Sequence, residues 1–249
     1  MRPYRIFQAL LCVAVLTGCS DRGGDDGAPG TSITVLVDLS STWHNEANRQ
    51  RNQRLLDAVG NSIGSAGVAM QRSALPVSVS FLSIGDGTFL EEALCSARFK
   101  PQLVQPPGDD TFINHHRFVT YLVDECASFI LELPEEPMTD ITAAITSAAR
   151  GQSLAQPETE IIIILSDFRE ERSSDFMLQQ NDIEGRHFLL LYRDIGEDPA
   201  VLDDRVRDWN TRLTELGGHV LSVADTNVND QGSSLQAYIV NTAAGRRND

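Results

Sequence analysis

The sequence predicts an α/β fold with a doubly wound, mainly parallel central sheet and helices on both faces. Residues 33–37 are apolar at four of five positions, and residues 161–165 are apolar throughout. Runs of this length between polar residues are typical of buried parallel strands. Segments with helical periodicity alternate with the strands, as a parallel sheet requires. Both runs lead into aspartates, Asp38 and Asp167, and ligands of open sheets bind at the carboxyl ends of strands.

The first half of the chain contains two strands, two helices and one short segment that fits either class. The first strand covers residues 33–38, and a helix over 44–64 follows, with Leu55, Leu56, Val59 and Ile63 at helical spacing. In residues 77–84 apolar side chains alternate with serines, which predicts a second strand. Residues 89–97 fit either a short edge strand or a helical turn, and prolines then mark a loop before a helix over residues 112–131.

The second half continues the alternation of helices and strands. An alanine-rich helix is expected over residues 139–150, with Thr139 near its cap, followed by the central strand 160–166. A short helix is expected around residues 173–181. The remaining expected elements are a strand at 187–192, a helix at 199–216 that ends at two glycines, a strand at 219–223 and a helix at 233–243.

The amino terminus resembles a bacterial lipoprotein signal. Arg2 and Arg5 precede an apolar stretch at residues 7–16 that is too short for a permanent membrane span. It ends in LTGC, which resembles the lipobox, so Cys19 is expected to carry lipid and to begin the mature chain. Ser20 after this cysteine, in place of aspartate, slightly favours the outer over the inner membrane. The expected location is therefore the cell envelope, facing the periplasm.

These boundaries divide the chain into four parts: a signal peptide (1–18), a lipidated cysteine with a polar tether (19–31), one domain (32–243) and a polar tail (244–249). Loss of the two signal arginines moves the formal net charge from −15 to −17. Such an acidic chain is a poor match for nucleic acid or anionic lipid headgroups. Contact with the membrane is expected through the lipid alone.

Two cysteines, Cys95 and Cys126, remain in the domain after removal of Cys12 and lipidation of Cys19. An oxidising compartment favours a disulfide between them, and two buried free thiols are the alternative.

Three short motifs resemble those of von Willebrand factor A-type domains. They are DLSST at residues 38–42, MTDI at 138–141 and ILSD at 164–167, in the order of that family. The resemblance implies a Rossmann-like doubly wound sheet in which the strands of Asp38 and Asp167 are neighbours. It also implies a metal-ion-dependent adhesion site in which Mg²⁺ or Mn²⁺ is surrounded by Asp38, Ser40, Thr42, Thr139 and Asp167. Aspartate and hydroxyl oxygens are donors that such hard cations prefer.

An open position on this metal would accept an acidic side chain of a protein partner, without catalysis. The alternative is that the hydroxyls cap helices and the aspartates are structural. Trp43, His44 and Phe168 are possible rim residues, and Phe168 occupies a position where the family commonly has glycine.

Other functions find less support in the sequence. A lipid-anchored solute-binding protein would fit export, but such proteins usually have two lobes. A phosphatase of the haloacid dehalogenase type needs a second aspartate where this chain has Ser40, and its only lysine is Lys100 in the irregular segment. The adjacent histidines His115 and His116 point apart on any regular element, which does not favour a transition-metal site.

Overall fold

The computed structural model describes residues 30–70, 76–85, 93–99, 111–155, 157–171, 177–192, 196–224 and 232–243. The signal peptide, Cys19, most of the tether and the polar tail lie outside these residues. Among the helices of the described part, none combines the length and hydrophobicity that a membrane span needs.

One six-stranded sheet organises the described chain. Its strand order is β3-β2-β1-β4-β5-β6, and every pairing is parallel except that of β2 with β3. The strands are β1 (Thr31–Asp38), β2 (Val77–Ile84), β3 (Cys95–Phe99), β4 (Thr159–Ser166), β5 (His187–Tyr192) and β6 (His219–Ala224). This is the doubly wound α/β fold predicted from the sequence, with β1 and β4 adjacent.

The helices follow the predicted order, with shifted ends. They are α1 (Ser41–His44), α2 (Glu46–Met70), α3 (Thr111–Thr120), α4 (Ala127–Leu131), α5 (Ile141–Ala155), α6 (Gln180–Ile183), α7 (Pro199–Glu215) and α8 (Gly232–Ala243). The predicted helix 44–64 is two elements, because Asn45 leaves the helical conformation between α1 and α2. The predicted helix 112–131 is found with a π-helical segment, Tyr121–Cys126, between α3 and α4.

Two separate apolar cores cover the two faces of the sheet. On one face, α2, the α3–α4 region and α8 pack on side chains such as Ile33, Val35 and Ile163. On the other face, α5, α6 and α7 pack on a set that includes Leu36 and Ile164. Alternate residues of β1 and β4 thus enter opposite cores, which explains why both strands are apolar without a helical or alternating pattern.

The segment that fits either an edge strand or a helical turn in the sequence contributes to the edge strand of the sheet. Of the expected residues 89–97, the structure describes only the last few, and Cys95–Phe99 pairs antiparallel with β2. Cys95 is joined by a disulfide to Cys126 in the π-helical segment, with the two Cα atoms 6.0 Å apart. This bond ties the edge strand to the helical layer that covers it.

A close contact between α2 and α3 depends on glycine. A Cβ atom at Gly64 would lie 2.4 Å from a methyl carbon of Val119. Glycine at this position therefore lets α2 and α3 approach closely. A ring nitrogen of His115 on α3 lies 2.8 Å from the Gly64 carbonyl oxygen on α2. This hydrogen bond and the edge contact of His115 with Phe99 give the histidine a packing role.

Two histidines face each other where β5 and β6 begin. His187 and His219 are paired in register, and their rings stack with centroids 4.8 Å apart. Burial, together with the charge of His219, lowers the pKa of His187 from its usual value of 6.5 to about 4.

Removal of the disulfide is expected to destabilise the fold. In the chain-entropy model, a loop of this size contributes about 3–4 kcal/mol to the free energy of unfolding. The double substitution Cys95→Ser/Cys126→Ser should lower the free energy of unfolding, measured by urea denaturation, by that amount. Reductant should lower the free energy of unfolding of the parent protein and leave that of the variant unchanged. Equal stability of the parent and the variant without reductant would contradict the prediction.

The free energy of unfolding should fall as the pH falls from about 6.5 to about 4. The folded-state pKa of His187 lies below its unfolded value, so the unfolded chain binds more protons in this window. Urea denaturation as a function of pH should show a shallower decline for His187→Gln. His116→Gln, at an exposed histidine, is the matched control and should retain the slope of the parent.

Candidate functional site

The carboxyl ends of β1 and β4 meet at the switch point of the sheet. Leu36 pairs with Ile164 and Val37 with Leu165, so Asp38 follows in register with Ser166. Neighbouring strands are separated by about 4.8 Å, which places the two side chains within hydrogen-bond reach. The Ser166 hydroxyl donates to Asp38 Oδ2 at 2.6 Å, across 128 residues of sequence.

The Asp38 carboxylate is the centre of this cluster. It is 2 % exposed and accepts hydrogen bonds from three groups. They are the Ser166 hydroxyl on Oδ2, and the Ser40 amide (3.0 Å) and the Thr139 hydroxyl (3.3 Å) on Oδ1. Donors from three separate elements therefore converge on one buried carboxyl group.

The hydroxyls of Ser40 and Thr139 do not cap the helices beside them. Ser40 occupies the position before α1, but its side chain makes no capping hydrogen bond there. At α5 it is Asp140 that caps the helix, through Oδ1 and the Ala143 amide at 2.8 Å. The capping role considered for these hydroxyls in the sequence is therefore carried by Asp140 at α5, and Thr139 turns to Asp38 instead.

Asp167 lies directly after β4 and is 3 % exposed. Its Oδ1 accepts a hydrogen bond from the Arg169 amide at 2.9 Å, and the Phe168 amide donates to the Ser166 hydroxyl, also at 2.9 Å. These two bonds turn the chain sharply at the end of the strand. Asp167 follows Ser166 directly in the chain, so its backbone is adjacent to the residue that donates to Asp38.

Phe168 has a backbone conformation that favours glycine. Its φ of 59° lies in the left-handed region, and it is the one non-glycine residue of the described chain with a positive φ. Its ring is buried at 1 % exposure in the α5–α7 core, with the Trp209 ring centroid 6.4 Å away. A buried ring does not line an exposed rim, so the rim role expected of the Phe168 side chain is wrong.

The other residues expected around the site divide into described and undescribed side chains. Trp43 is 4 % exposed and packs in the α2 core, so the rim role does not fit it, and packing under the loop does. Thr42 and His44 belong to α1, but their side chains lie outside the described residues. The structure thus brings together Asp38, Ser40 and Thr139, with Asp167 on the neighbouring strand.

The donor set fits a hard cation better than a transition metal. Across the described chain, no three His, Cys, Asp or Glu side chains form a group that could hold a metal, so a site here depends on hydroxyls as well as carboxylates. Oxygen-only donors suit Mg²⁺ or Mn²⁺. His115 and His116 are not such a site, since His115 contacts Gly64 and His116 is exposed.

Ser166 belongs to the cluster but was not among the predicted ligands. In the sequence, it is part of the ILSD motif, in which Asp167 is the predicted ligand. The signal that could have found it is the register, because a parallel β1–β4 pair that aligns the ends of both strands must place Ser166 opposite Asp38.

Solved structures with some similarity to this chain include von Willebrand factor type A from Catenulispora acidiphila, with 10% identity and a TM-score of 0.46 over 87% of this chain and 43% of that one. An aerotolerance-related membrane protein from Bacteroides fragilis has 13% identity and a TM-score of 0.41, with 84% and 98% covered. A mutant of the PilB minor pilin from Streptococcus sanguinis has 7% identity and a TM-score of 0.49, with 86% and 62% covered.

The chain spans less than half the length of the Catenulispora protein. No family model matches the sequence, and no curated protein matches it.

Replacement of Phe168 by glycine should destabilise the protein despite the left-handed backbone. Loss of a buried Phe side chain costs about 3–5 kcal/mol. Glycine avoids the cost of the left-handed backbone, which is only about 1–2 kcal/mol. Urea denaturation of Phe168→Gly should therefore show a net loss of roughly 1–4 kcal/mol, by difference of those two values.

Phe168→Ala separates the two effects, because alanine loses the ring but keeps the backbone cost. Phe168→Gly should be the more stable of the two variants. A more stable Phe168→Ala protein would show that the backbone is not strained at this position.

Proposed function

We propose that this chain is a lipid-anchored protein of the cell envelope whose domain binds one divalent cation, Mg²⁺ or Mn²⁺, and through it a protein partner. The domain resembles von Willebrand factor A-type domains in its three motifs, and its role is binding without catalysis. The observation that carries this proposal is the buried Asp38 carboxylate, which is surrounded by neutral donors at the switch point of the sheet.

A buried carboxylate without a cation is costly. In the part of the chain that the structure describes, Asp38 has hydrogen bonds from one amide and two hydroxyls but no ion pair with an Arg, Lys or His side chain. Buried ionised groups are normally paired or coordinate metals. The protein does pair a partly buried acid in this way, since the buried Arg186 forms a salt bridge with Glu160. A bound cation would supply the missing positive charge at Asp38.

The proposed ligands are Asp38, Ser40, Thr42, Thr139 and Asp167. Two carboxylates balance the charge of a divalent ion, and neutral hydroxyls leave it electrophilic, so that when bound it can attract a carboxylate from outside. The geometry that supports this set is the convergence of the Ser40 amide and the Thr139 hydroxyl on Asp38, with the buried Asp167 next to Ser166 in the chain. A hydroxyl that donates to Asp38 can turn its oxygen lone pairs toward a cation.

The chemistry of the partner follows from that of the site. An acidic side chain, Asp or Glu, is the natural ligand for an open position on a hard cation. The lipid at Cys19 and the tether would present the domain to partners in the periplasm, with the outer membrane favoured by Ser20. These features come from the sequence alone.

Added Mg²⁺ or Mn²⁺ should raise the melting temperature of the purified protein. A ligand that binds only the folded state at about 100 times its Kd contributes about 2.7 kcal/mol. For a domain of this size, that corresponds to about 5–10 °C. Asp38→Ala should abolish the rise, as measured by thermal unfolding with and without metal.

Glu215→Ala, at an exposed acid near the end of α7, is the matched control and should respond like the parent. No metal-dependent shift in the parent at millimolar concentrations would refute the metal site and leave only the fold. Partner binding is then tested by retention of envelope proteins on the immobilised domain, which should require metal and be lost in chelator and with Asp38→Ala.

A further inference from the structure

We infer that Glu170 is a positioning residue that holds the loop after β4 against the start of α5, and thereby aligns Thr139 with Asp167. This inference concerns the same site as the proposed function, and its consequence for metal affinity rests on that function. Glu170 was not among the residues predicted for the site, and its side chain lies only three residues after Asp167.

The first tie runs from Glu170 to α5. Its Oε1 accepts hydrogen bonds from the Thr142 amide at 2.9 Å and from the Thr142 hydroxyl at 2.5 Å. Thr142 is fully buried and lies one turn after Thr139. An acidic side chain at a helix amino terminus also interacts favourably with the helix dipole. One carboxylate oxygen thus joins the loop to the first turn of α5.

A second tie runs between the backbones of the same two segments. The Glu171 amide donates to the Thr139 carbonyl oxygen at 2.8 Å. Thr139, whose hydroxyl is a proposed ligand, is therefore hydrogen-bonded through its backbone to the loop that begins at Asp167. Glu170 and Glu171 together connect the two segments that carry these proposed ligands.

The other carboxylate oxygen of Glu170 faces α7. Its Oε2 lies 3.8 Å from Nη1 of Arg212, whose guanidinium carbon is 4.2 Å from the Trp209 ring centroid. Trp209 in turn packs near Phe168. The side chain of Glu170 is only 13% exposed, with one carboxylate oxygen on Thr142 of α5 and the other near Arg212 of α7. The loop is supported from α5 and α7 at once.

Glu170 is not itself a proposed ligand, but it holds two segments that carry proposed ligands. Groups that orient metal ligands typically contribute 10–100-fold to metal affinity, because misplaced ligands must be reordered on binding. Loss of the Glu170 carboxylate would leave the Thr142 amide without this acceptor, so that the backbone bond of Glu171 would hold the loop near Thr139 without the support from Thr142. The ligand atoms would still be present but would be held less firmly in place.

The test compares Glu170→Ala with Glu170→Gln in the purified protein, with Mg²⁺ affinity measured by calorimetry. Alanine removes the acceptor of Thr142 and the ion pair with Arg212, leaves the backbone hydrogen bond of Glu171 in place, and should weaken binding by about 10–100-fold. Glutamine keeps an oxygen for Thr142 and removes the charge that faces Arg212, so it should stay within about fivefold of the parent. Glu197→Ala is the matched control, because it removes an acid that pairs with Arg169 and Arg205 around the same loop.

Amide hydrogen exchange without metal provides a readout that is independent of the metal site. Glu170→Ala should speed exchange at the amides of Thr142 and Glu171, and unchanged exchange at both would overturn the inference. If the parent binds Mg²⁺ and Glu170→Ala binds equally well, or Glu197→Ala weakens binding as much, the positioning role is also refuted. If the parent binds no Mg²⁺, the proposed function fails, and metal-free exchange still decides whether Glu170 holds the loop.

Discussion

The parallel pairing of β1 with β4 is the constraint on which the site depends. These strands are separated by more than a hundred residues, yet their register places Asp38 beside Ser166 and next to Asp167. Parallel neighbours need crossover connections that run over the faces of the sheet, so the helices are obliged to cover both sides. The two apolar cores and the polar cluster at the strand ends are consequences of the same topology.

The loop after β4 shows how the fold supports an unfavourable local conformation. A left-handed Phe168 costs free energy that a glycine would avoid, but burial of its ring near Trp209 more than offsets that cost. The same loop is held by Glu170 on α5 and by the Glu171 amide on Thr139. The position of Asp167 therefore depends on packing and hydrogen bonds from two helices.

Much of the architecture could be predicted because it depends on local patterns. The runs of buried β1 and β4, the amphipathic α2 and the two glycines after α7 correspond to the observed elements within a few residues, apart from the extension of α2 to Met70. The edge strand β3 could not be assigned, since five residues beside an irregular segment carry little periodicity. Its place depends on pairing with β2 and on the disulfide from Cys95, both of which are long-range contacts.

The sequence by itself determined the fold class, the order of the elements and the presence of oxygen-bearing side chains at Asp38, Thr139 and Asp167. These follow from the hydrophobic pattern and from motifs within a few residues. Only the tertiary structure decided how the groups are used. Asp140 caps α5 where Thr139 was the expected residue, Ser166 joins the Asp38 cluster, and Phe168 turns inward. Each outcome depends on the register of strands or the packing of helices far apart in the chain, which no local pattern encodes.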